Sequence, residues 1–204
     1  MDSNTDQFLS LAEPAEALWK AKGSKFYAYA FRVRSLDEID KYLLQVRKQH
    51  HKARHHCYAW QLGTEHINYR VNDDGEPSNS AGQPIYGQIK AFGLTEVLIV
   101  VVRYFGGVKL GVGGLIQAYK TAASMSLEDA EIKAFPIEGH LEIQMDYPQM
   151  NDVMRLIKSR GYQIRSQELN ESCKVEISVP RSKVNEALEV FEKLHLVTVK
   201  SAES

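Results

Sequence analysis

Hydrophobic residues recur along this chain in unbroken runs, at every second position, and at every three to four positions. The longest unbroken run, Leu98–Val102 within VLIVVVRY, predicts a strand buried on both faces. Alternation appears in Lys25–Val33, with Phe26, Ala28 and Ala30 on one side and Tyr27, Tyr29, Phe31 and Val33 on the other. It returns after His55, where His56, Tyr58 and Trp60 share one face and His55, Cys57 and Ala59 the other. Gly63-Thr64 then predicts a hairpin turn, with Ile67, Tyr69 and Val71 on the return strand. Helical spacing marks Leu36–Lys48, opened by Ser35 with Glu38 three residues on, a capping-box pattern. The same spacing places Leu115, Ile116, Ala118, Tyr119 and Ala122 on a helix after a glycine-rich loop. Pro84 predicts a helix start running to about Ala91, and Gly93 its stop. Near the N-terminus, the first dozen residues read as a lead-in and Pro14–Lys20 as a short helix ended by Gly23.

Beyond Phe135-Pro136, which is read as a domain boundary, the order is strand (His140–Met145), helix (Gln149–Arg160, stopped by Gly161), strand and strand (Tyr162–Glu168 and Cys173–Val179 about an Asn170-Glu171 turn), helix (Ser182–Leu194), strand (Leu196–Val199). That β-α-β-β-α-β order predicts a ferredoxin-like domain, two helices on one face of a four-stranded antiparallel sheet. The expected fold class is α/β (α+β), with domains over 1–135 and 136–204.

Composition adds limits. A chain of 204 residues with 44% hydrophobic and 25% charged residues is that of an ordinary globular protein with material for one large or two small cores. No apolar run approaches the ~20 residues of a membrane span. The acidic, polar N-terminus predicts neither a secretory signal nor a transit peptide. Cys57 and Cys173 lie far apart, so no disulfide framework or CxxC site is expected and a reducing, cytoplasmic setting is. The net charge of −1 makes no global case for nucleic acid. Lys41–His56 departs from that balance, with five Lys or Arg, four His and no acid. It reads either as a basic patch or as a solvated helix face and loop.

Three stretches carry candidate chemistry. The loop after VVVRY holds five glycines in nine positions, Gly106, Gly107, Gly111, Gly113 and Gly114, ahead of a helix. Such a loop suits an anion at a helix N-terminus or tight turns and close packing; its spacing matches neither GxxxxGK[ST] nor GxGxxG. The turn-rich Asn72–Pro84 holds Asp73, Asp74 and Glu76, three carboxylates that suit a divalent cation or a basic partner, or, as architecture, Asx-turns. His55, His56 and Cys57, which follow Arg54, suit a metal or a nucleophile with its base. Adjacent strand residues face opposite ways, however, and a strand cysteine is ordinarily inert packing. Arg103, at the end of the buried strand, suits a phosphate or an ion pair with Asp73 or Glu76.

Together, Arg54-His55-His56-Cys57 with Ala59-Trp60, Asp73-Asp74-Gly75-Glu76-Pro77 with Ala81-Gly82-Gln83-Pro84, and VVVRYFGG…LGVGGLIQAY resemble the IMPACT / YigZ family in its bacterial two-domain form. The resemblance runs from about Gly23 to the C-terminus. Asn72 stands where a small hydroxylic residue is expected, and Asn79-Ser80 where Gly-Thr is common. It implies an N-terminal domain similar to the second domain of ribosomal protein S5, and a C-terminal one similar to the last domain of elongation factor G. It also implies a tie to translational control, in which eukaryotic relatives compete for an activator of a stress-responsive initiation-factor kinase. Those relatives use an extra N-terminal domain for which this chain is expected to have no room, so that partner is not carried over.

The expected function is therefore non-catalytic: translation regulation through RNA, the ribosome or a translation-associated protein, with neither catalytic nor metal residues. The expected binding set is Arg54, His55, His56, Asp73, Asp74, Glu76, Arg103 and the five loop glycines. Of these, His56, Asp74, Glu76 and Arg103 are expected to line one polar groove beside the loop. Tyr58, Trp60, Tyr104 and Phe105 are aromatic candidates for base stacking, against core burial. The alternative is an enzyme acting on a phosphate-bearing small molecule, with Mg²⁺ as its cofactor at the loop.

Overall fold

The computed structural model describes residues 6–169 and 173–202. In chain order the elements are β1 (Gln7–Leu11), β2 (Ala15–Ala21), β3 (Ser24–Arg32), α1 (Leu36–Gln49), β4 (His55–Leu62), β5 (Asn68–Asn72), α2 (Gly82–Ala91), β6 (Val97–Tyr104), α3 (Gly111–Glu128), β7 (Ile132–Pro136), β8 (Glu138–Met145), α4 (Met150–Arg160), β9 (Gln163–Leu169), β10 (Cys173–Pro180), α5 (Val184–Glu192) and β11 (Val197–Ala202). They form a mixed α/β protein of two compact units, one of residues 8–135 and the other of residues 136–202 together with Asp6 and Gln7 at the N-terminal side.

The first unit is built on an antiparallel five-stranded sheet in the order β2-β3-β6-β4-β5. β6 is central, and Val97–Val102 are all fully buried, as the unbroken run predicts. The alternation in β3 and β4 sorts their residues between two cores. Phe26, Ala28, Ala30, Cys57 and Ala59 pack with Ile85, Ile89, Ala118 and Tyr119 of α2 and α3. Tyr29, Phe31, Tyr58 and Trp60 pack with Ile39 and Val46 of α1 on the opposite face. Ser35 caps α1, its hydroxyl accepting from the Glu38 amide, while the Glu38 carboxylate accepts from the Arg34 amide.

The N-terminal stretch corrects the sequence reading. Gln7–Leu11 is a strand paired with β7, and the segment expected to be helical is the edge strand β2. Its Ala, Leu, Trp and Lys residues favour helix intrinsically. Pairing from Ala15↔Ala30 to Ala21↔Ser24 and packing of Ala15 and Ala21 on the core outweigh that preference. α2 starts two residues ahead of Pro84, because the Asp73 carboxylate accepts the Ala81 and Gly82 amides at 2.9 and 2.8 Å.

The second unit has strand order β11-β8-β10-β9, every pair antiparallel. With α4 and α5 sharing one core with Leu141, Ile143, Val175 and Ile177, this is the ferredoxin-like arrangement. Gly161 closes α4 in the left-handed region at φ +69°. The expected Asn170-Glu171 turn lies outside the described residues. On the sheet's other face, Lys174 and Lys200 bracket Glu142 at 2.7 and 3.0 Å and hold its carboxyl below the usual range.

Candidate functional site

The acidic loop turns its carboxylates inward. Asp73 accepts three backbone amides, from Asn79, Ala81 and Gly82, which folds the loop back and caps α2. Asp74 takes a left-handed conformation (φ +39°). Its carboxylate accepts the His56 amide at 2.7 Å and lies 3.6 Å from Arg47, and its carbonyl meets His55 Nδ1 at 2.9 Å. Glu76 is buried, its side chain 4% exposed against 7% for Arg103, and one Oε1 accepts both Arg103 Nη1 at 2.7 Å and the Tyr119 hydroxyl at 2.8 Å. Among the described residues no group of three or more His, Cys, Asp or Glu is arranged to hold a metal ion. The single Cys57 S–H lies within hydrogen-bond reach of two acceptors, the Asp73 carbonyl at 3.0 Å and the Tyr119 hydroxyl at 3.3 Å. Burial pushes its thiol far up, which suits packing and not nucleophilic attack.

The expected single groove is not what forms. His55 pairs with Arg103 across β4 and β6, so those two share the face under α2 and α3, and His56 lies on the α1 face. The sheet therefore separates His56 from the Glu76–Arg103 pair. His56 Nε2 donates to the His50 carbonyl at 3.2 Å, and burial holds its pKa below the ordinary value although Asp74 opposes the shift. Its Nδ1 lies 3.7 Å from the Asp74 carboxylate.

The glycine loop divides by cause. Gly106 sits against the β2–β3 turn, and a Cβ there would lie 1.9 Å from the Gly23 carbonyl carbon. Gly107 and Gly111 have φ of +88° and +73°. A Cβ on Gly113 would meet open space, and one on Gly114 would press on Leu110 at 3.1 Å. The loop exposes the apolar side chains of Phe105, Val108, Val112 and Ile116 together with the cation of Lys109.

Arg54 stands apart from these buried groups. It is exposed at the start of β4, next to Arg47, Lys48, His51 and Lys52, all exposed. Apart from the Arg47–Asp74 contact, these side chains make no ion pair among the described residues. The basic stretch is thus solvated positive charge on the last turn of α1 and the connection into β4.

Beside it is a cavity of about 490 Å³ that no sequence motif announced. Tyr27, Tyr29 and Lys25 of β3 form one side, Gln49 and His50 at the end of α1 another, and Gly23, Tyr104 and Phe105 the mouth. At its floor, Gln49 Nε2 donates to the Tyr29 hydroxyl at 3.2 Å, which meets His50 Nε2 at 2.7 Å; His50 Nδ1 meets the Tyr104 hydroxyl at 3.1 Å. Burial holds the His50 pKa below the ordinary value and that of Tyr29 above it. A neutral imidazole that accepts from Tyr29 carries its proton on Nδ1 and donates to Tyr104. The one sequence signal was Tyr27 and Tyr29 alternating on the face of a strand, since tyrosine hydroxyls there require partners. Of the four aromatic stacking candidates, Tyr58 and Trp60 are core, Tyr104 is half-buried, and Phe105 is 59% exposed.

Comparison with known proteins follows this geometry. The family model described as the Impact N-terminal domain matches residues 22–127. The chain is 28% identical over 183 residues to "IMPACT family member YigZ" of Escherichia coli K12, covering 89% of this chain and 90% of that protein. It is 34% identical over 151 residues to an "IMPACT family member" of Haemophilus influenzae, covering 72% of each. A crystal structure described as that of a hypothetical protein superposes with a TM-score of 0.78 at 26% identity, covering 98% of both chains. No described helix is long and apolar enough to cross a membrane.

Proposed function

The chain belongs to the IMPACT family, and on that premise we propose that it is a non-catalytic protein that binds RNA and acts in translation. The observation that carries this reading is the exposed basic stretch Lys48, Lys52 and Arg54, which form no ion pair among the described residues, with the Asp74-paired Arg47 beside them. Clustered Lys and Arg on one surface suit a phosphate backbone, where each neutralised phosphate releases a counterion. Two of the aromatic stacking candidates, the exposed Phe105 and the half-buried Tyr104, line the cavity that adjoins this stretch. The translational setting is what the family resemblance implies. Of the binding residues expected from sequence, Arg54 retains a contact role. His55, His56, Asp73, Asp74, Glu76 and Arg103 are read as the framework that holds the loop, and the loop glycines as its turns.

The enzyme alternative draws no comparable support. The carboxylates it requires for Mg²⁺ are engaged by backbone amides, Arg47, Arg103 and Tyr119.

RNA affinity measured against salt tests the proposal. Binding is expected to fall steeply with ionic strength and to weaken in Lys52→Ala and Arg54→Ala whatever the RNA sequence. Absence of RNA binding at low salt, with capture of a translation-associated protein instead, would overturn it.

A further inference from the structure

The cavity at the end of α1 carries more than the basic surface does. At its mouth Gly23 (φ +81°) packs main chain on main chain against Gly106, where a Cβ on Gly23 would lie 2.8 Å from the Gly106 carbonyl oxygen. Its floor is a hydrogen-bond chain with two unused ends. Gln49 Nε2 donates to Tyr29, Tyr29 meets His50 Nε2 and His50 Nδ1 meets Tyr104; in the tautomer with the proton on Nδ1, the Tyr104 O–H is left to donate and the Gln49 carbonyl Oε1 to accept. Phe105 presents an exposed ring at the rim, backed by the Arg103 guanidinium 5.6 Å from its centroid. Lys25 adds a cation on the wall, and Arg47 and Lys48 occupy the same last turn of α1 as Gln49 and His50.

We propose that this cavity receives one unpaired base of single-stranded RNA, stacked on Phe105 and met at its edge by the Tyr104 hydroxyl and the Gln49 carbonyl. The proposal rests on the RNA-binding reading above. A flat heteroaromatic ring with neighbouring donors and acceptors matches an aromatic rim over a donor–acceptor floor. Its flanking phosphates match Lys25 and the basic stretch. A volume of about 490 Å³ takes a base together with its sugar. The pocket selects unpaired RNA because a base locked in a duplex cannot leave the stack without unpairing.

The test is fluorescence anisotropy of the full chain with a labelled single-stranded 12-nucleotide RNA and with a 12-base-pair RNA duplex. Phe105 is exposed, so Phe105→Ala leaves the fold intact, which circular dichroism verifies. Loss of one stacked base is expected to weaken single-strand binding roughly 5- to 100-fold, with duplex binding and the salt slope unchanged. Tyr104→Phe, which removes one hydroxyl, is expected to weaken it less, and photocrosslinking of a 4-thiouridine oligomer to the wild-type protein to map to Tyr104 or Phe105. Wild-type affinity in Phe105→Ala, with crosslinks elsewhere, would overturn the pocket and leave the RNA reading standing. No single-strand binding by the wild-type protein at low salt would overturn both. Binding of 5′-mononucleotides without the oligomer would overturn the RNA assignment and make the cavity a free-nucleotide site.

Discussion

Glu76→Gln separates architecture from chemistry in the acidic loop. The wild-type carboxylate lies 2.7 Å from Arg103 Nη1 and 2.8 Å from the Tyr119 hydroxyl, with both charged side chains at least nine-tenths buried. Glutamine keeps the size and an accepting oxygen but removes the charge. It leaves a buried guanidinium with no other carboxylate paired to it among the described residues. Breaking a buried pair from one side costs about 3–5 kcal/mol, and the retained hydrogen bonds place this substitution near the lower figure. Against a typical domain stability of about 5–15 kcal/mol, that is a large fraction. At roughly 3–5 °C per kcal/mol for a unit of this size, the melting temperature falls by about 10–15 °C. Urea unfolding followed by the fluorescence of Trp60, buried in the same unit, supplies the free energy. Replacing all three groups, as Glu76→Leu with Arg103→Met and Tyr119→Phe, is expected to recover most of that loss, because neither a charge nor the Tyr119 hydroxyl that donates to Glu76 is then stranded. The reasoning is refuted if Glu76→Gln lies within about 0.5 kcal/mol of wild type with an unchanged m-value. The carboxylate would then be held in place for a ligand and not for the fold.

The remaining predictions concern the glycine loop and the histidines. Gly106→Ala is expected to destabilise by about 3 kcal/mol or more, because its Cβ would overlap the Gly23 main chain. Gly113→Ala, in the first turn of α3 and facing open space, should be neutral or stabilising by about 0.5–1 kcal/mol; thermal melts of the two variants check both. His50 and His56 are held below their ordinary pKa of 6.5 by burial. The unfolded chain therefore binds protons first as pH falls, and their contribution to stability is complete above about 6.5 and lost below it. Urea midpoints between pH 7.5 and 5.5 should fall, and should fall less in His50→Gln; a flat profile would contradict the burial argument.

How far the sequence foretold this structure depended on the range of each contact. The unbroken run of β6, the alternation of β3 and β4 and the six elements of the ferredoxin-like unit are local patterns, and the structure follows them. β2 was missed because its helix-favouring residues are overruled by pairing with β3, which no window of local sequence contains. The acidic loop was legible as a loop but not as architecture. Asp73 reaches amides six to nine residues ahead, Glu76 reaches Arg103 27 residues on, and Tyr119, 43 residues on, read only as part of an apolar helix stripe. His56 and Arg103 looked like neighbours until the register set His55 opposite Arg103 and put the sheet between them. The cavity gathers side chains from β3, α1 and β6, and its polar floor follows from packing α1 on a strand face that carries two tyrosines.

The most direct measurement for the RNA reading is the slope of log affinity against log salt concentration for single-stranded RNA. Three phosphate contacts, through Lys48, Lys52 and Arg54, predict a slope of about −2, at roughly −0.7 per contact for a single strand. Lys52→Ala and Arg54→Ala should each make it shallower by about 0.7. A slope near zero, or one that neither substitution changes, would contradict the account and remove the basic stretch from the contact surface.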